Sequence, residues 1–165
     1  MPEFDLTGFL THRREEMIET LRELVEHESP SRDKSALDPL GARIAARFEQ
    51  LGGRVEIVPN PTGGIHVIGR FGEGDARPVL VLGHYDTVWP LGTLAHMPFA
   101  VADGIVRGPG AYDMKSGLVI LEYALRSIRD AGRRTLRPVV ALWTSDEEIG
   151  SPTSRSLIES LAARS

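Results

Sequence analysis

The sequence contains no cysteine among its 165 residues, which excludes disulfides, iron–sulfur clusters and thiolate zinc sites. Any metal ion would therefore have to bind to histidine, aspartate and glutamate side chains. No segment approaches the roughly 20 apolar residues that a membrane-spanning helix needs. The net charge of −4 is small, and no basic stripe suits a nucleic acid or an anionic membrane surface.

The composition is that of an ordinary soluble globular domain. With 41% hydrophobic and 25% charged residues, a chain of this length can bury roughly 70% of its unfolded surface around one core. Residues 1–16 contain acidic side chains and no apolar run, so they do not predict a secretory signal. We therefore expect a cytoplasmic protein with no nucleic-acid or membrane partner.

The spacing of apolar residues predicts alternating helices and strands. The predicted helices are residues 9–25, ended by Ser29-Pro30-Ser31, then 38–51, 115–131 and 152–161, the last capped by Ser151. The predicted strands are residues 54–58, 65–71, 79–82 and 138–143, with a hairpin over 99–106. Continuous apolar runs in 79–82 and 138–143 predict strands that are covered on both faces. This order indicates an α/β fold with a mixed, mostly parallel sheet and helices on both faces.

Histidine and acidic residues follow the two apolar strands. The run VLVLGHYDT ends with His84 and Asp86, and the run VVALWTSDEEIG ends with Glu147 and Glu148 next to another aspartate. Between these two runs, GPGAYDMKSG holds Asp113 just before a predicted helix. Because ligands of open α/β sheets bind beyond the carboxyl ends of the strands, this placement predicts a functional site there.

Each of these signals also has a structural interpretation. His84 and Asp86 point to the same side of a strand, so Asp86 can accept the free N–H of a metal-bound imidazole, but both could equally lie in a solvated surface loop. Glu147 and Glu148 after an apolar strand suggest a cation, although paired glutamates are common on helix surfaces. Asp113 could be an ordinary acid at a helix N-terminus.

Other chemistry-bearing residues are interpreted as structural. The remaining histidines are expected on a charged helix, at the start of a strand or in a loop; they are His12, His27, His66 and His96. Trp89 and Trp143 are expected to pack, with Trp89 able to border a substrate cleft. Met114 stands where a phosphate-binding Walker loop needs glycine, which excludes that motif.

The three motifs in this order resemble one enzyme family. Gly-His-x-Asp-Thr-Val, Gly-x-Gly-x-x-Asp-x-Lys-x-Gly and Asp-Glu-Glu-x-Gly-Ser are similar to motifs of the zinc-dependent glutamate carboxypeptidases, acetylornithine deacetylases, succinyl-diaminopimelate desuccinylases and aminoacylases. The resemblance covers residues 79–158 and is strongest to the glutamate carboxypeptidase branch. It implies a zinc-exopeptidase-like catalytic domain that cleaves an amide or peptide bond next to a free carboxylate, in peptides or N-acyl amino acids.

The resemblance also implies the roles of individual residues. His84 and Glu148 would each bind one of two divalent metal ions and Asp113 would bridge them, with Zn²⁺ expected and Co²⁺ or Mn²⁺ as alternatives. Glu147 would be the general base, taking a proton from water and delivering it to the leaving amine. Asp86 would orient His84. The family also implies a cis peptide bond directly after Asp113.

The family's remaining metal ligands and its inserted dimerisation domain have no counterpart in residues 1–165. The resemblance therefore implies that the chain is the N-terminal portion of a catalytic domain whose full-length form is a homodimer. Such a sheet would expose an edge and apolar faces. Three hypotheses remain: a metallohydrolase cut short, a non-catalytic fragment that binds metal or a partner without turnover, and a carboxylate-rich domain without metal.

Overall fold

The computed structural model describes residues 4–165. The prediction that residues 1–16 are not a secretory signal therefore falls partly outside the described residues, at residues 1–3. The helices are α1 (Leu6–His12), α2 (Arg14–Glu26), α3 (Lys34–Gln50), α4 (Ser116–Asp130) and α5 (Arg155–Ala162). The strands are β1 (Arg54–Val58), β2 (His66–Phe71), β3 (Val79–His84), β4 (Ala100–Ala102), β5 (Ile105–Arg107) and β6 (Val139–Thr144). Across this region no helix combines the length and hydropathy that membrane crossing requires.

The main sheet of the described residues has the strand order β1-β2-β6-β3, and β4 and β5 form the separate predicted hairpin. The mixed sheet is confirmed, but it is not mostly parallel within residues 4–165. Strand β2 runs antiparallel to both β1 and β6, and only β3 and β6 are parallel. The short connection 59–65 can only reverse the chain direction, whereas β3 and β6 are joined by a long crossover that includes α4.

Side chains that alternate along β2 and β6 face two separate apolar clusters, because successive side chains in a strand point to opposite faces. Val67 and Trp143 belong to the larger cluster, which α1, α2, α3 and α4 cover. Ile68 and Leu142 belong to the smaller cluster, where they meet Leu161 of α5. The prediction of helices on both faces is thus confirmed.

Strand β3 is less buried than its apolar sequence predicted. Val79 and Leu82 are 41% and 45% exposed, because β3 lies at one edge of the sheet and within residues 4–165 it pairs with β6 alone. The prediction of a strand covered on both faces is wrong for β3 and correct for β6, whose residues Val140 to Trp143 are all buried.

Two helix predictions also need correction. The first predicted helix is divided at Arg13, whose backbone (φ −104°, ψ 10°) separates α1 from α2. The last helix begins at Arg155 rather than at residue 152, and Ser151 is not its cap. Ser151 instead adopts a left-handed conformation (φ 55°) within the turn that leads from β6 to α5.

Candidate metal centre

The parallel pairing of β3 and β6 brings the predicted site segments together. His84 and Thr144, the last residues of the two strands, are direct partners in the sheet. The turns that follow them therefore begin side by side at the carboxyl edge of the sheet. A third turn, residues 111–115, leads into α4 and carries Asp113 next to them.

The side chains of His84, Asp113 and Glu148 converge at this edge. One ligand atom from each residue lies within 4.8 Å of those of the other two. The Nε2 atom of His84 lies 3.1 Å from Oδ1 of Asp113 and 3.7 Å from Oε2 of Glu147. The structure thus brings together four of the five predicted site residues around one imidazole nitrogen.

Asp86, the fifth residue, lies behind His84 and is fully buried. Its Oδ1 atom lies 3.4 Å from Nδ1 of His84, and its carbonyl oxygen lies 3.1 Å from the same nitrogen. Its two carboxylate oxygens accept the backbone N–H groups of Glu147 (3.2 Å) and Glu148 (3.3 Å). Because these oxygens can only accept, they favour a proton on Nδ1 and leave Nε2 free for a metal ion.

The local charges shift the ionisation of two site residues. Burial lowers the pKa of His84, but the hydrogen bond and charge of Asp86 and the charge of Glu147 outweigh it and raise the pKa to about 9. Burial raises the pKa of Glu148, and the charges of Asp113, Asp86 and Glu147 add to this effect while His84 opposes it. The carboxylates thus crowd one another, and a cation among them would relieve the repulsion.

The residues present fit a divalent metal ion. Two ligands at the usual 2.0–2.2 Å from one ion lie at most about 4.4 Å apart, and the pair His84–Asp113 already satisfies this limit. The side chains of Asp113 and Glu147 are 70% and 55% exposed, and a cavity of about 390 Å³ opens beside them. An ion and a small ligand can therefore reach the cluster.

The peptide bond between Asp113 and Met114 is cis, as the resemblance implied.

Asp146, the acid directly before the glutamate pair, takes no part in the cluster. Its carboxylate accepts hydrogen bonds from the backbone and hydroxyl groups of Thr153 (both 2.7 Å) and Ser154 (3.2 and 2.6 Å). Burial raises its pKa, but these hydrogen bonds outweigh burial and hold the pKa below its usual value. Asp146 therefore fixes the turn between β6 and α5, a role that strand-end placement alone did not distinguish.

Lys115 is the functional candidate that sequence reasoning missed. Its side chain is only 1% exposed, and Nζ donates to the carbonyl oxygens of Leu24 (3.0 Å) and His27 (2.8 Å). Burial lowers its pKa to about 7, although the charges of Glu28 and Asp86 oppose this shift. The lysine belongs to the motif Gly-x-Gly-x-x-Asp-x-Lys-x-Gly, but a lysine beside a helix usually predicts a solvated side chain, so its burial was not predicted.

The residues that were interpreted as structural lie away from the cluster. His12 and His96 are exposed and His27 is half-buried. His66 is buried at the start of β2, where it contacts Ser145 and Thr153. Trp143 is buried as predicted, and Trp89 is partly exposed in the loop after Asp86.

Comparison with known proteins identifies relatives of this chain and agrees with its fold. Residues 80–165 match the model of peptidase family M20/M25/M40. Carboxypeptidase G2 from Pseudomonas sp. (strain RS-16) is 29% identical over 153 residues, which cover 90% of this chain and 36% of the relative. Succinyl-diaminopimelate desuccinylase from Leptothrix cholodnii is 31% identical over 140 residues, which cover 79% of this chain and 36% of the relative. The crystal structure of human carnosine dipeptidase 1 superimposes with a TM-score of 0.83 at 22% identity. The superposition covers 94% of this chain and 37% of the dipeptidase chain.

The chain belongs to peptidase family M20/M25/M40, because the family model matches more than half of its residues. The family resemblance drawn from the three motifs is therefore confirmed, and the mixed α/β fold is shared with the solved relative. The chain spans little more than a third of the length of these relatives.

Proposed function

We propose that this chain is the N-terminal portion of a metallopeptidase catalytic domain, and that the whole protein cleaves an amide or peptide bond next to a free carboxylate. The convergence of His84, Asp113 and Glu148 within 4.8 Å carries the proposal. Family membership supports it, since the matched residues include all three. In a domain without metal, the carboxylates of Asp113 and Glu148 would repel each other at the carboxyl edge of the sheet with no cation to offset the repulsion.

The proposed cofactor is a pair of divalent metal ions, Zn²⁺ first and Co²⁺ or Mn²⁺ as alternatives. His84 would hold one ion, Glu148 the other, and Asp113 would contact both. When bound, the ions would supply polarisation of the substrate carbonyl and a lower pKa for the attacking water. Asp86 would keep the imidazole of His84 in the required orientation through Nδ1.

Glu147 is the proposed general base. Its carboxylate lies 3.7 Å from Nε2 of His84 and is more than half exposed, so it borders the cluster and can also reach a water molecule. It would accept a proton from the attacking water and pass it to the leaving amine, which releases the new carboxylate and a free amine. The backbone N–H of Glu147 donates to Asp86, and this hydrogen bond holds the backbone from which the Glu147 side chain extends.

The proposed substrates are small peptides or N-acyl amino acids. The names of the relatives support this class, since they include a carboxypeptidase, a desuccinylase and a dipeptidase. A homodimeric full-length protein and a cytoplasmic location remain predictions.

The decisive experiment replaces Glu147 with Gln in the full-length protein. We expect turnover of an N-acyl amino acid to fall by at least about 100-fold, the usual contribution of a general base, while metal content measured by atomic emission stays unchanged. His84→Ala is the matched control, because it should lose metal and turnover together. Undiminished turnover in Glu147→Gln would refute the role of Glu147.

A second candidate function is binding of metal or a partner without turnover, which the chain's limited coverage of its relatives favours. Metal titration and an activity assay of the 165-residue chain distinguish the two. Binding with measurable turnover supports a hydrolase in this chain itself. Binding without turnover supports the second candidate for this chain.

A further inference from the structure

The turn that carries Asp113 is attached to the N-terminal part of the chain by one buried lysine. Lys115 follows Asp113 by two residues, and its Nζ donates to the carbonyl oxygens of Leu24 and His27. These carbonyls belong to the last turn and the C-terminal cap of α2. Because the last carbonyls of a helix lack partners within the helix and carry partial negative charge, a buried ammonium is stabilised there.

The Asp113 carboxylate is itself mostly exposed and meets His84 at 3.1 Å. Its position therefore depends on how firmly its backbone is held. The backbone N–H of Lys115 donates to the carbonyl oxygen of Gly110 (3.0 Å), which closes the turn. The side chain of Lys115 then fixes the closed turn to α2.

The same stretch of chain, residues 24–31, also holds the turn that contains Asp86. The hydroxyl of Ser29 donates to the carbonyl oxygen of Tyr85 (2.7 Å), and the backbone N–H of Thr87 donates to the carbonyl oxygen of Ser29 (2.9 Å). The backbone N–H of Ser31 donates to the carbonyl oxygen of Thr87 (3.2 Å). Residues 24–31, which we call the clamp segment, thus contact both turns that flank the His84–Asp113 pair.

The clamp segment lies outside the residues that match the family model, which begin at residue 80. Its contacts with Lys115 are made through main-chain carbonyls of Leu24 and His27, which any residue could supply. The specific chemical requirement therefore falls on the donor, Lys115. Lys115 is 1% exposed. Burying its charged amine would cost free energy of folding if those carbonyl oxygens did not accept hydrogen bonds from it.

We propose that Lys115 is a positioning residue: through the clamp segment it sets the distance of Asp113 from His84 and Glu148 that a bound divalent cation requires. This inference rests on the proposed metal site. It predicts that removing the ammonium weakens metal binding without removing any ligand. A lysine with a merely structural role would affect stability and leave the metal affinity of the folded protein unchanged.

The chain contains a matched control, because its other lysine makes the same kind of contact elsewhere. Lys34 donates from Nζ to the carbonyl oxygens of Asn60 (2.9 Å) and Gly63 (3.0 Å). Neither acceptor belongs to the clamp segment or to the turns that carry the metal-site residues. Lys34 is more exposed and also pairs with Asp38 (2.8 Å), so Lys34→Met removes the same two kinds of hydrogen bond and one ion pair away from the metal site.

The experiment measures Co²⁺ binding to the 165-residue chain by its visible absorption, with near-UV circular dichroism and urea unfolding as measures of the folded state. We expect Lys115→Met to bind Co²⁺ at least about 10-fold more weakly than wild type, in the range found for residues that orient metal ligands, and to change the absorption band of bound Co²⁺. Lys34→Met should lose stability but keep wild-type affinity and spectrum.

Two results would overturn the positioning role. If Lys115→Met folds and binds Co²⁺ as tightly as wild type and Lys34→Met, the role is wrong while the metal site stands. If wild type itself fails to bind Co²⁺, the residues of this chain do not form a metal site by themselves and the positioning role fails, whereas the proposed hydrolase function is tested separately by Glu147→Gln in the full-length protein. Should Lys115→Met not fold, Lys115→Gln removes the ammonium and keeps a neutral N–H₂ group on a shorter side chain, and an unchanged Co²⁺ affinity in that variant would also overturn the role.

Discussion

The turns that follow β3 and β6 each contain a buried aspartate, yet the two carboxylates make opposite kinds of contact. Asp146, after β6, accepts its hydrogen bonds from Thr153 and Ser154, which lie in the same connection to α5. Asp86, after β3, contacts the imidazole of His84 and the backbone of the neighbouring turn at Glu147. The first aspartate closes its own turn, whereas the second connects two turns and orients a side chain.

The two aspartates therefore differ in role: Asp146 stabilises its turn, whereas Asp86 serves the proposed metal site. Asp146 is surrounded by donors, and its pKa is held below its usual value despite burial. Asp86 also accepts two backbone N–H groups, but its charge, like those of Asp113 and Glu147, raises the pKa of Glu148. A carboxylate that only accepts hydrogen bonds from its neighbours stabilises the metal-free fold, while one whose charge also repels a nearby carboxylate stabilises it more when a cation is present.

The largest effect is expected from removing Asp146. Asp146→Ala removes the acceptor of hydrogen bonds from Thr153, which is exposed, and from Ser154, which is buried, and hydrogen bonds to a charged group contribute about 1.5–3 kcal/mol each without being additive. We expect the free energy of unfolding to fall by about 3–5 kcal/mol in urea denaturation. Asp75→Ala, at an exposed loop position, is the control and should change it by less than about 0.5 kcal/mol. A loss below 1 kcal/mol in Asp146→Ala would break the comparison.

The next effect concerns the contact between the two strands that carry these turns. Gly83 of β3 lies under the ring of Trp143 in β6, and a Cβ atom on residue 83 would stand 1.4 Å from Cζ3 of that ring. Because Trp143 is buried, Gly83→Ala must displace the ring or separate the strands, at a cost of about 1–3 kcal/mol in the free energy of unfolding.

Gly117→Ala is a suitable control for this substitution. The added Cβ would meet the flexible end of Met114 at 2.7 Å, and residue 117 lies inside α4, where alanine is preferred over glycine by about 1 kcal/mol. We therefore expect unchanged or slightly higher stability in the same urea assay. Equal stability of Gly83→Ala and wild type would show that Trp143 can move freely, and the side-by-side placement of the turns would then need another explanation.

The third prediction tests the other half of the comparison. Asp86→Ala should weaken Co²⁺ binding by about 10–100-fold, since His84 loses the carboxylate that orients it. It should destabilise the metal-free protein less than Asp146→Ala, because loss of one buried acid also relieves repulsion with Glu148 and its neighbours. Titration of Co²⁺ and urea unfolding of both variants give the two quantities. A reversed order, with Asp86→Ala the less stable and the tighter binder, would contradict the assignment of roles.

Much of this site could be predicted from the sequence because its residues follow apolar strands in recognisable motifs. His84 and the Glu147–Glu148 pair come directly after continuous apolar runs, and adjacent parallel strands bring their carboxyl ends together. The distinction between Asp86 and Asp146 was not predictable to the same extent. Both are acids just beyond a strand, and only the folded turn reveals that Thr153 and Ser154 return to Asp146.

The remaining misses share a cause, which is contact between residues far apart in the chain. Lys115 is buried by carbonyls that lie 91 and 88 residues earlier, and no local pattern encodes such a contact. The exposure of Leu82 follows from the edge position of β3, whereas its apolar run resembles that of the central strand β6. Strand order depends on the whole topology, so equal local patterns gave one correct and one wrong prediction of burial.

The smallest expected effect is a dependence of stability on pH that originates in the turn after β6. His66 is buried, with Nε2 3.0 Å from the hydroxyl of Thr153 and Nδ1 accepting the backbone N–H of Ser145 (3.3 Å). Burial lowers the pKa of His66, although the charges of Asp146 and Asp86 oppose this shift. The folded state therefore favours the neutral imidazole.

Because the pKa of His66 is lower in the folded than in the unfolded chain, its contribution to stability is complete above about pH 6.5, the unfolded value. It is lost as the pH falls from there towards the folded pKa, with a slope of at most about 1.4 kcal/mol per pH unit for one proton. His66→Asn can retain an acceptor for Ser145 and cannot titrate, so its urea unfolding between pH 7.5 and pH 5 should lack this component. Parallel pH profiles for the two proteins would mean that His66 is protonated equally in the folded and unfolded chains, and that the turn after β6 does not exclude charge from its histidine.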